Sequence, residues 1–349
     1  MTRVPGAAPT GGGRLRVARE AQAKLNLTLA VLGARADGYH SLHSVMVPLA
    51  LRDILTVSAA PAGATQDSLR VLGLPLAATP DNLVLRAMAA TRAAVLEKGL
   101  GVASRAPILA ARLSKRIPVA SGLGGGSSDA AAAIDAALAL WDATLTSEEA
   151  TAVAASLGSD VPFFLAHGPA LVTGRGEFVE PLPQIRGEPP AVLLVTPGAA
   201  ISTAAVFAAF DAGTLPLPSV RPMSPEGSAT TTLAVSDNLA AAMRSGLAAP
   251  ELVELAPDLA RANDLLAAAQ SVAPWLEGFG TALEELLARP VGQSGSGPTL
   301  WALYRSIPQA REAARTVRLA ISRGELPEVG AGQPFVAVTS IASTPAPRL

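Results

Sequence analysis

The chain has 349 residues, of which 50% are hydrophobic, 16% charged and 3% aromatic, a composition typical of a globular protein with one large or two smaller domains. Its 27 basic and 28 acidic residues give a formal net charge of −1 without blocks of like charge, which argues against a nucleic-acid partner and a polybasic membrane anchor. With no cysteine and three histidines, the sequence excludes disulfides, thiolate metal sites and cysteine nucleophiles, and leaves little for a histidine metal site.

The amino-terminal segment and the hydropathy pattern bear on cellular location. No stretch reaches the roughly 18 uninterrupted apolar residues that a membrane-spanning helix needs. Residues 1–18 contain Arg, Pro and Gly but lack the apolar segment of a secretory signal, so we predict a disordered tail there. The lack of cysteine is compatible with a reducing compartment, and we predict a cytoplasmic protein without a membrane partner.

The first half of the chain predicts strands, a helix and then a strand–loop–helix unit. Alternating apolar residues from residue 23 onward predict strands, and Asp37-Gly38 is a favoured hairpin turn pair. Helical spacing predicts a helix over 82–98 with Asp81 as its N-cap. A strand is predicted at 108–117, followed by a glycine-rich turn and an alanine-rich helix.

The second half mixes short strands and helices. A segment rich in Pro, Ser, Gly and Thr at 213–232 predicts a surface loop or linker. The element order predicts an α+β fold, which we divide into domains at 19–180 and 181–349. The strands are predicted at 170–174, 191–197, 299–304 and 335–340, and the helices at 203–211, 237–245, 258–270, 275–288 and from Pro308 onward.

The segment PVASGLGGGSSD at 118–129 lies between the predicted strand and the alanine-rich helix. Such a loop places several backbone N–H groups at the positive end of a helix, which suits a phosphate group. Ser128 and Asp129 could instead be simple helix caps. A Walker loop is excluded because Lys24, Lys98 and Lys115 are the only lysines, and the protein-kinase motifs are missing. A dinucleotide fold is disfavoured because Ser127 replaces the last glycine of its fingerprint.

Two further residues are candidates for catalysis. Lys24 lies in the first strongly patterned strand, where an ammonium group could polarise an oxygen or hold a carboxylate ionised. Asp160 in LGSDVPFF could act as a general base towards an attacking hydroxyl group. Each also has a structural alternative: a solvated lysine at a strand edge, and a helix N-cap before Pro162.

Five segments taken together resemble the GHMP small-molecule kinases. They occur in the family's order from Ala23 to about Leu303. The segment RADGYH resembles the corresponding segment of those family members that act on a cytidyl-diphosphate methylerythritol. The segments are AKLNL at 23–27, RADGYHSL at 35–42, PVASGLGGGSSDAAA at 118–132, LGSDVPFF at 157–164 and SGSGPTLWAL at 294–303.

The resemblance implies a two-domain GHMP kinase fold, with ATP and Mg²⁺ as cofactors and a small-molecule substrate. The implied reaction phosphorylates the 2-hydroxyl group of 4-diphosphocytidyl-2-C-methyl-D-erythritol in the non-mevalonate route to isoprenoid precursors. Lys24 and Asp160 would form the catalytic pair. The implied ATP-binding residues are Pro118, Val119, Ala120, Ser121, Gly122, Leu123, Gly124, Gly125, Gly126, Ser127 and Ser128. The implied substrate-binding residues are Asn26, Tyr39, His40, Phe207, Gly295, Ser296 and Gly297.

Within that substrate set, Tyr39 would stack on the pyrimidine, His40 would read its hydrogen-bonding edge, and Phe207 would supply the opposite stacking face. The sequence assigns no magnesium ligand and no oligomeric state. Two alternatives remain open: another GHMP kinase acting on homoserine, mevalonate or a sugar, and a dinucleotide-binding oxidoreductase or non-catalytic nucleotide sensor.

Overall fold

In the computed structural model of the protein, residues 15–98, 106–213 and 231–342 are described. The amino-terminal half forms a seven-stranded sheet in which the central strand β3 pairs with β1, β2, β5 and β6. All of these pairings are antiparallel, and the edge strand β4 runs parallel to β5. The strands are β1 (Arg16–Asn26), β2 (Ala30–Ala34), β3 (His40–Ala59), β4 (Ser68–Gly73), β5 (Leu109–Lys115), β6 (Ala170–Gly174) and β7 (Phe178–Pro181).

Four helices belong to this half: α1 (Leu83–Glu97), α2 (Gly125–Trp141), α3 (Ser147–Leu157) and α4 (Val161–Leu165). Helix α2 lies in the core because its alanine face is buried almost completely between the sheet and the other helices. Small alanine side chains allow a helix to approach its neighbours closely at little entropic cost. The buried position of α2 fixes where its amino-terminal end emerges, and with it the glycine loop.

The carboxy-terminal half forms an antiparallel four-stranded sheet in the order β11-β8-β10-β9. Its strand β8 is buried along its whole length, which fits its uninterrupted apolar sequence. The strands are β8 (Ala191–Thr196), β9 (Gly292–Gln293), β10 (Leu300–Tyr304) and β11 (Phe335–Ser340). The helices are α5 (Thr203–Asp211), α6 (Thr232–Arg244), α7 (Ala249–Glu254), α8 (Ala256–Leu259), α9 (Leu266–Val272), α10 (Trp275–Leu287) and α11 (Ile307–Ser322).

The two sheets share a hydrophobic core. Leu25 and Val45 of the first sheet belong to the same buried cluster as Val192, Leu194 and Trp301 of the second. Burial of apolar area on this scale holds the halves in one fixed arrangement. The proposed division into domains at 19–180 and 181–349 stays a prediction, and the first sheet ends at Pro181.

Several sequence-based boundaries are wrong. Strand β1 begins at Arg16, so the last residues of the predicted tail are part of the sheet, while residues 1–14 lie outside the described residues. Asn82, not Asp81, caps α1, because its Oδ1 accepts a hydrogen bond from the Val84 amide at 3.0 Å. The predicted helix at 258–270 is two short helices, α8 and α9.

The predicted loop at 213–232 lies largely outside the described residues, and α6 already begins at Thr232. Over the described ranges, the helices are too short or too polar to cross a membrane.

Candidate active site

The first glycine loop, residues 118–124, joins β5 to α2. Gly122 and Gly124 have φ angles of +81° and +67°, values that side-chain-bearing residues adopt only with strain. Ser121 stabilises the turn by donating a hydrogen bond from its hydroxyl to the Pro118 carbonyl at 2.8 Å. Helix α2 begins at Gly125, so the loop ends at a helix N-terminus as the sequence predicts.

The second glycine loop, residues 294–298, is bonded directly to the first. The Ser294 hydroxyl donates to the Gly122 carbonyl at 2.9 Å, and the Thr299 amide donates to the Ser121 carbonyl at 3.1 Å. A Cβ atom on Gly122 would lie 2.3 Å from the Ser294 carbonyl oxygen. The close approach of the two backbones therefore requires glycine at position 122.

Lys24 lies against the first glycine loop. Its amide donates to the Leu123 carbonyl at 2.9 Å, and a Cβ atom on Gly124 would lie 2.9 Å from the lysine Cγ. The side chain is only 3% exposed, and Nζ donates to Asn26 Oδ1 at 2.5 Å. The alternative of a solvated lysine at a strand edge is therefore wrong.

Asp160 completes the pair from the start of α4. Its Oδ2 lies 3.5 Å from Lys24 Nζ, and 34% of the side chain is exposed. Although Asp160 occupies the N-cap position, its side chain makes no capping hydrogen bond. The carboxylate is thus directed to the lysine and to solvent, which leaves it accessible to an incoming hydroxyl group.

Asn26 connects the lysine to the second glycine loop. Its Nδ2 donates to the Ser44 hydroxyl at 2.8 Å, which in turn donates to the Thr28 carbonyl at 2.6 Å. A Cβ atom on Gly295 would lie 3.3 Å from Asn26 Oδ1 and 3.5 Å from Lys24 Nζ. Lysine, asparagine and both glycine loops therefore meet at one point.

The β2–β3 hairpin carries the remaining predicted contacts. Tyr39 is 50% exposed, and the Arg175 guanidinium lies 5.0 Å from the centre of its ring. His40 is buried, and Phe207 stacks on its ring at a centroid distance of 4.9 Å. Ser296 lies 2.8 Å from the Thr203 hydroxyl at the start of α5. Helix α5 therefore contacts both the hairpin and the second glycine loop.

A buried ionic cluster lies beneath the first glycine loop. Lys115 Nζ lies 2.6 Å from Asp53 Oδ2 and 2.7 Å from Asp129 Oδ2, and a Cβ atom on Gly125 would lie 3.0 Å from that ammonium group. Asp53 Oδ1 also accepts two backbone amides, whereas Asp129 Oδ1 is buried without a partner among the described residues. Burial raises the pKa of Asp129 to about 8, although the nearby Lys115 charge opposes the shift. Asp129 is therefore paired inside the protein and is not the cap of α2.

A separate cavity lies away from the glycine loops. It has a volume of about 750 Å³ and lies between α2, α3, α4 and strands β6 and β7, lined by residues such as Leu138, Leu171 and Phe178. None of its lining residues belongs to either glycine loop or to the lysine–aspartate pair. Phosphoryl transfer needs amide donors and charge, and the glycine loops with the lysine–aspartate pair offer both, so they stay the candidate active site.

Sequence reasoning missed the residues that hold the site together. Asn263 donates from Nδ2 to the carbonyls of Gln293 and Gly295 at 3.2 and 2.8 Å, and so supports the second glycine loop from within. Ser44 links Asn26 to the Thr28 carbonyl through a single hydroxyl group. A lone Asn or Ser far away in the chain carries no local pattern that could reveal such contacts.

Comparison with known proteins shows the family to which the chain belongs. Residues 82–168 match the GHMP kinases N terminal domain. The chain is 38% identical over 313 residues to the 4-diphosphocytidyl-2-C-methyl-D-erythritol kinase of Parvibaculum lavamentivorans, covering 87% of this chain and 94% of the relative. A crystal structure of a 4-(cytidine 5'-diphospho)-2C-methyl-D-erythritol kinase matches with a TM-score of 0.63 and 28% identity, covering 93% of this chain and 99% of that one.

A homoserine kinase from Cytophaga hutchinsonii matches with a TM-score of 0.61 at 14% identity, covering 97% of this chain and 98% of that one. At that identity the likeness shows a shared fold alone. The predicted α+β GHMP kinase fold is confirmed. On the strength of the sequence match across most of both proteins, the chain belongs to the GHMP kinases and, within them, to the 4-diphosphocytidyl-2-C-methyl-D-erythritol kinase family.

Proposed function

We propose that the protein transfers the γ-phosphoryl group of ATP to the 2-hydroxyl group of 4-diphosphocytidyl-2-C-methyl-D-erythritol. The observation that carries this proposal is the position of Asp160 Oδ2, 3.5 Å from Lys24 Nζ and beside two glycine loops bonded to each other. An accessible base, a buried ammonium group and backbone amides near one another are the groups that phosphoryl transfer requires.

The first glycine loop and the first turn of α2 bind the ATP phosphates in this proposal. Backbone N–H groups at a helix N-terminus carry partial positive charge, and the left-handed glycines allow the backbone to approach a ligand closely. The residues assigned to this role are the eleven from Pro118 to Ser128. The buried cluster of Lys115, Asp53 and Asp129 supports the loop from below and anchors the end of β5 to α2.

Asp160 accepts the proton of the substrate hydroxyl group as the new P–O bond forms. Lys24 stabilises negative charge on the reacting oxygen, and Asn26 holds the ammonium group in place through the 2.5 Å hydrogen bond. Removing a single charge-stabilising donor at other enzyme sites raises the barrier by roughly 3–4 kcal/mol, which sets the scale for this pair.

Magnesium enters the proposal as part of the nucleotide complex. The described residues contain no cluster of three or more metal-ligating side chains, and Asp129 is already paired with Lys115. Mg²⁺ needs only one or two protein ligands when phosphate oxygens and water supply the rest. It would neutralise charge on the phosphates, and we assign no protein ligand to it.

The substrate side is formed by the hairpin, α5 and the second glycine loop. Asn26, Tyr39, His40 and Phe207 are proposed to contact the cytidyl substrate, and Gly295, Ser296 and Gly297 to close on its phosphorylated end. The exposed ring of Tyr39 supports stacking on a base, and the 2.8 Å contact of Ser296 with Thr203 connects the loop to α5. A cytoplasmic location and the lack of a nucleic-acid partner stay predictions of the composition.

The test is transfer of labelled phosphate from Mg-ATP to four acceptors: the cytidyl-diphosphate methylerythritol, homoserine, mevalonate and galactose. We expect label in the first acceptor only, and about 100-fold or greater loss of turnover with Asp160→Asn while ATP binding is retained. Label in a different acceptor would refute the substrate assignment, and no transfer to any acceptor would refute the kinase activity.

A further inference from the structure

Helix α5 surrounds the imidazole ring of His40 with three side chains. Phe207 stacks on the ring with an interplanar angle of 25°. Phe210 makes an edge contact with it, with 6.1 Å between the ring centroids and an interplanar angle of 89°. Asp211 Oδ1 lies 2.6 Å from His40 Nε2. Because residues at i, i+3 and i+4 share one face of a helix, α5 holds the ring by a face, an edge and one nitrogen.

The contact with Asp211 decides which nitrogen carries the proton. A carboxylate only accepts hydrogen bonds, so the neutral ring places its proton on Nε2 and leaves Nδ1 as an acceptor. Within the described part of the chain, no hydrogen bond to His40 Nδ1 is formed. Since the ring is 7% exposed, the protein and not water determines this choice.

We propose that Asp211 is a positioning residue that makes the site prefer cytosine to uracil, by holding His40 in the tautomer with hydrogen on Nε2. Cytosine carries an amino donor at C4, whereas uracil carries a carbonyl acceptor there, as thymine does. An acceptor at Nδ1 can accept a hydrogen bond from the amino group of cytosine, whereas it repels the carbonyl oxygen of uracil. The inference rests on the proposed function, since it requires a cytidyl substrate next to Tyr39 and His40.

A second histidine on the same strand provides a matched control. His43 Nε2 lies 3.1 Å from Asp237 Oδ1, and its Nδ1 lies 2.9 Å from the Ser236 hydroxyl. Both acidic residues are exposed, with 53% of the Asp211 side chain and 62% of the Asp237 side chain accessible to solvent. Both nitrogens of His43 therefore have protein partners, so this histidine cannot read a base.

The experiment measures kcat and KM for the cytidyl substrate and for its uridyl analogue. We compare the wild-type enzyme with Asp211→Ala, Asp211→Asn and Asp237→Ala. The asparagine keeps the size of the side chain, but its amide can either accept from Nε2 or donate to it, so it no longer dictates which ring nitrogen carries the proton.

Both Asp211 variants are expected to lower the cytidyl-to-uridyl ratio of kcat/KM by about 10-fold, mainly through KM, with kcat for the cytidyl substrate within about 3-fold of wild type. Asp237→Ala should change neither quantity, and KM for ATP should stay constant in all variants. Equal thermal unfolding temperatures would establish that each variant is folded.

An unchanged cytidyl-to-uridyl ratio in both Asp211 variants, with an active wild-type enzyme, would overturn the role of Asp211 and leave the kinase assignment standing. A wild-type enzyme that phosphorylates neither nucleotide substrate would overturn both. A drop in the ratio for Asp237→Ala as large as for Asp211→Ala would also overturn the inference, since any exposed carboxylate paired with a histidine of β3 would then have the same effect.

Discussion

Replacement of Gly122 by alanine tests whether the two glycine loops must stay in contact. The added Cβ would lie 2.3 Å from the Ser294 carbonyl oxygen and 3.0 Å from that of Gly297. Both distances are shorter than 3.4 Å, the lower limit of an ordinary van der Waals contact. Both obstructing atoms are backbone, so the loops must separate by about 1 Å, and misplacement on this scale can lower turnover about 100-fold. The left-handed φ of +81° adds roughly 1–2 kcal/mol of strain.

The control is Gly63→Ala, because Gly63 has a φ of +85° and nothing within 4 Å of its added Cβ. It therefore reproduces the backbone strain without the collision. Steady-state kcat and KM for ATP, with thermal unfolding measured in parallel, should separate the two effects. We expect both variants to be destabilised and only Gly122→Ala to lose turnover. If folded Gly122→Ala kept turnover within about 3-fold of wild type, the contact between the loops would not be needed for catalysis.

The remaining predictions address the charges and the support of the site. Lys24→Ala should lower kcat about 100-fold or more while a fluorescent ATP analogue still binds, and near-normal kcat would contradict the pairing with Asp160. Burial raises the pKa of Asp129 to about 8, so above the ordinary pKa the folded chain binds more protons than the unfolded chain, and the free energy of unfolding should fall as pH rises towards 8. Urea unfolding at several pH values between 5 and 7 gives the change of the unfolding free energy with pH. This dependence should be weaker for Asp129→Asn than for the wild-type protein, by up to about 1.4 kcal/mol per pH unit. An identical dependence in both proteins would show that Asp129 is not the group responsible. Asn263→Ala removes the donor to the carbonyls of Gln293 and Gly295, the second of which also accepts from Gln293 Nε2, and should cost about 1–3 kcal/mol of stability by the same method. An unchanged free energy of unfolding would contradict the supporting role of Asn263.

Short-range signals in the sequence predicted many of the elements. The hairpin around Asp37-Gly38, the alanine-rich helix α2 and strand β10 lie where periodicity and turn residues place them. Boundaries were less predictable because capping depends on side-chain geometry: the cap of α1 is Asn82 and not its neighbour Asp81. The turn that separates α8 from α9 contains Asn263 and Asp264, residues typical of turns, but the helical prediction for 258–270 missed it.

For the candidate site too, the sequence could predict some of the residues but not the contacts between them. The glycine loop could be selected because its composition suits a phosphate group, whereas Lys24 and Asp160 were selected as a pair through the family resemblance, since each alone has a structural alternative. Their convergence could not be derived from spacing, since Lys24 and Asp160 belong to different elements and Ser294 reaches Gly122 across 172 positions of the chain.

What the sequence by itself determined is the set of local structures and the chemical groups available for phosphoryl transfer, because turn residues, periodicity and motif composition act within a few positions. Only the tertiary structure decided which distant groups meet. Packing of the two sheets into one core brings the glycine loops into contact, pairs Lys115 with Asp53 and Asp129, and places Asp211 against His40. These contacts depend on burial and on close approach of backbones, and both are properties of the folded chain as a whole.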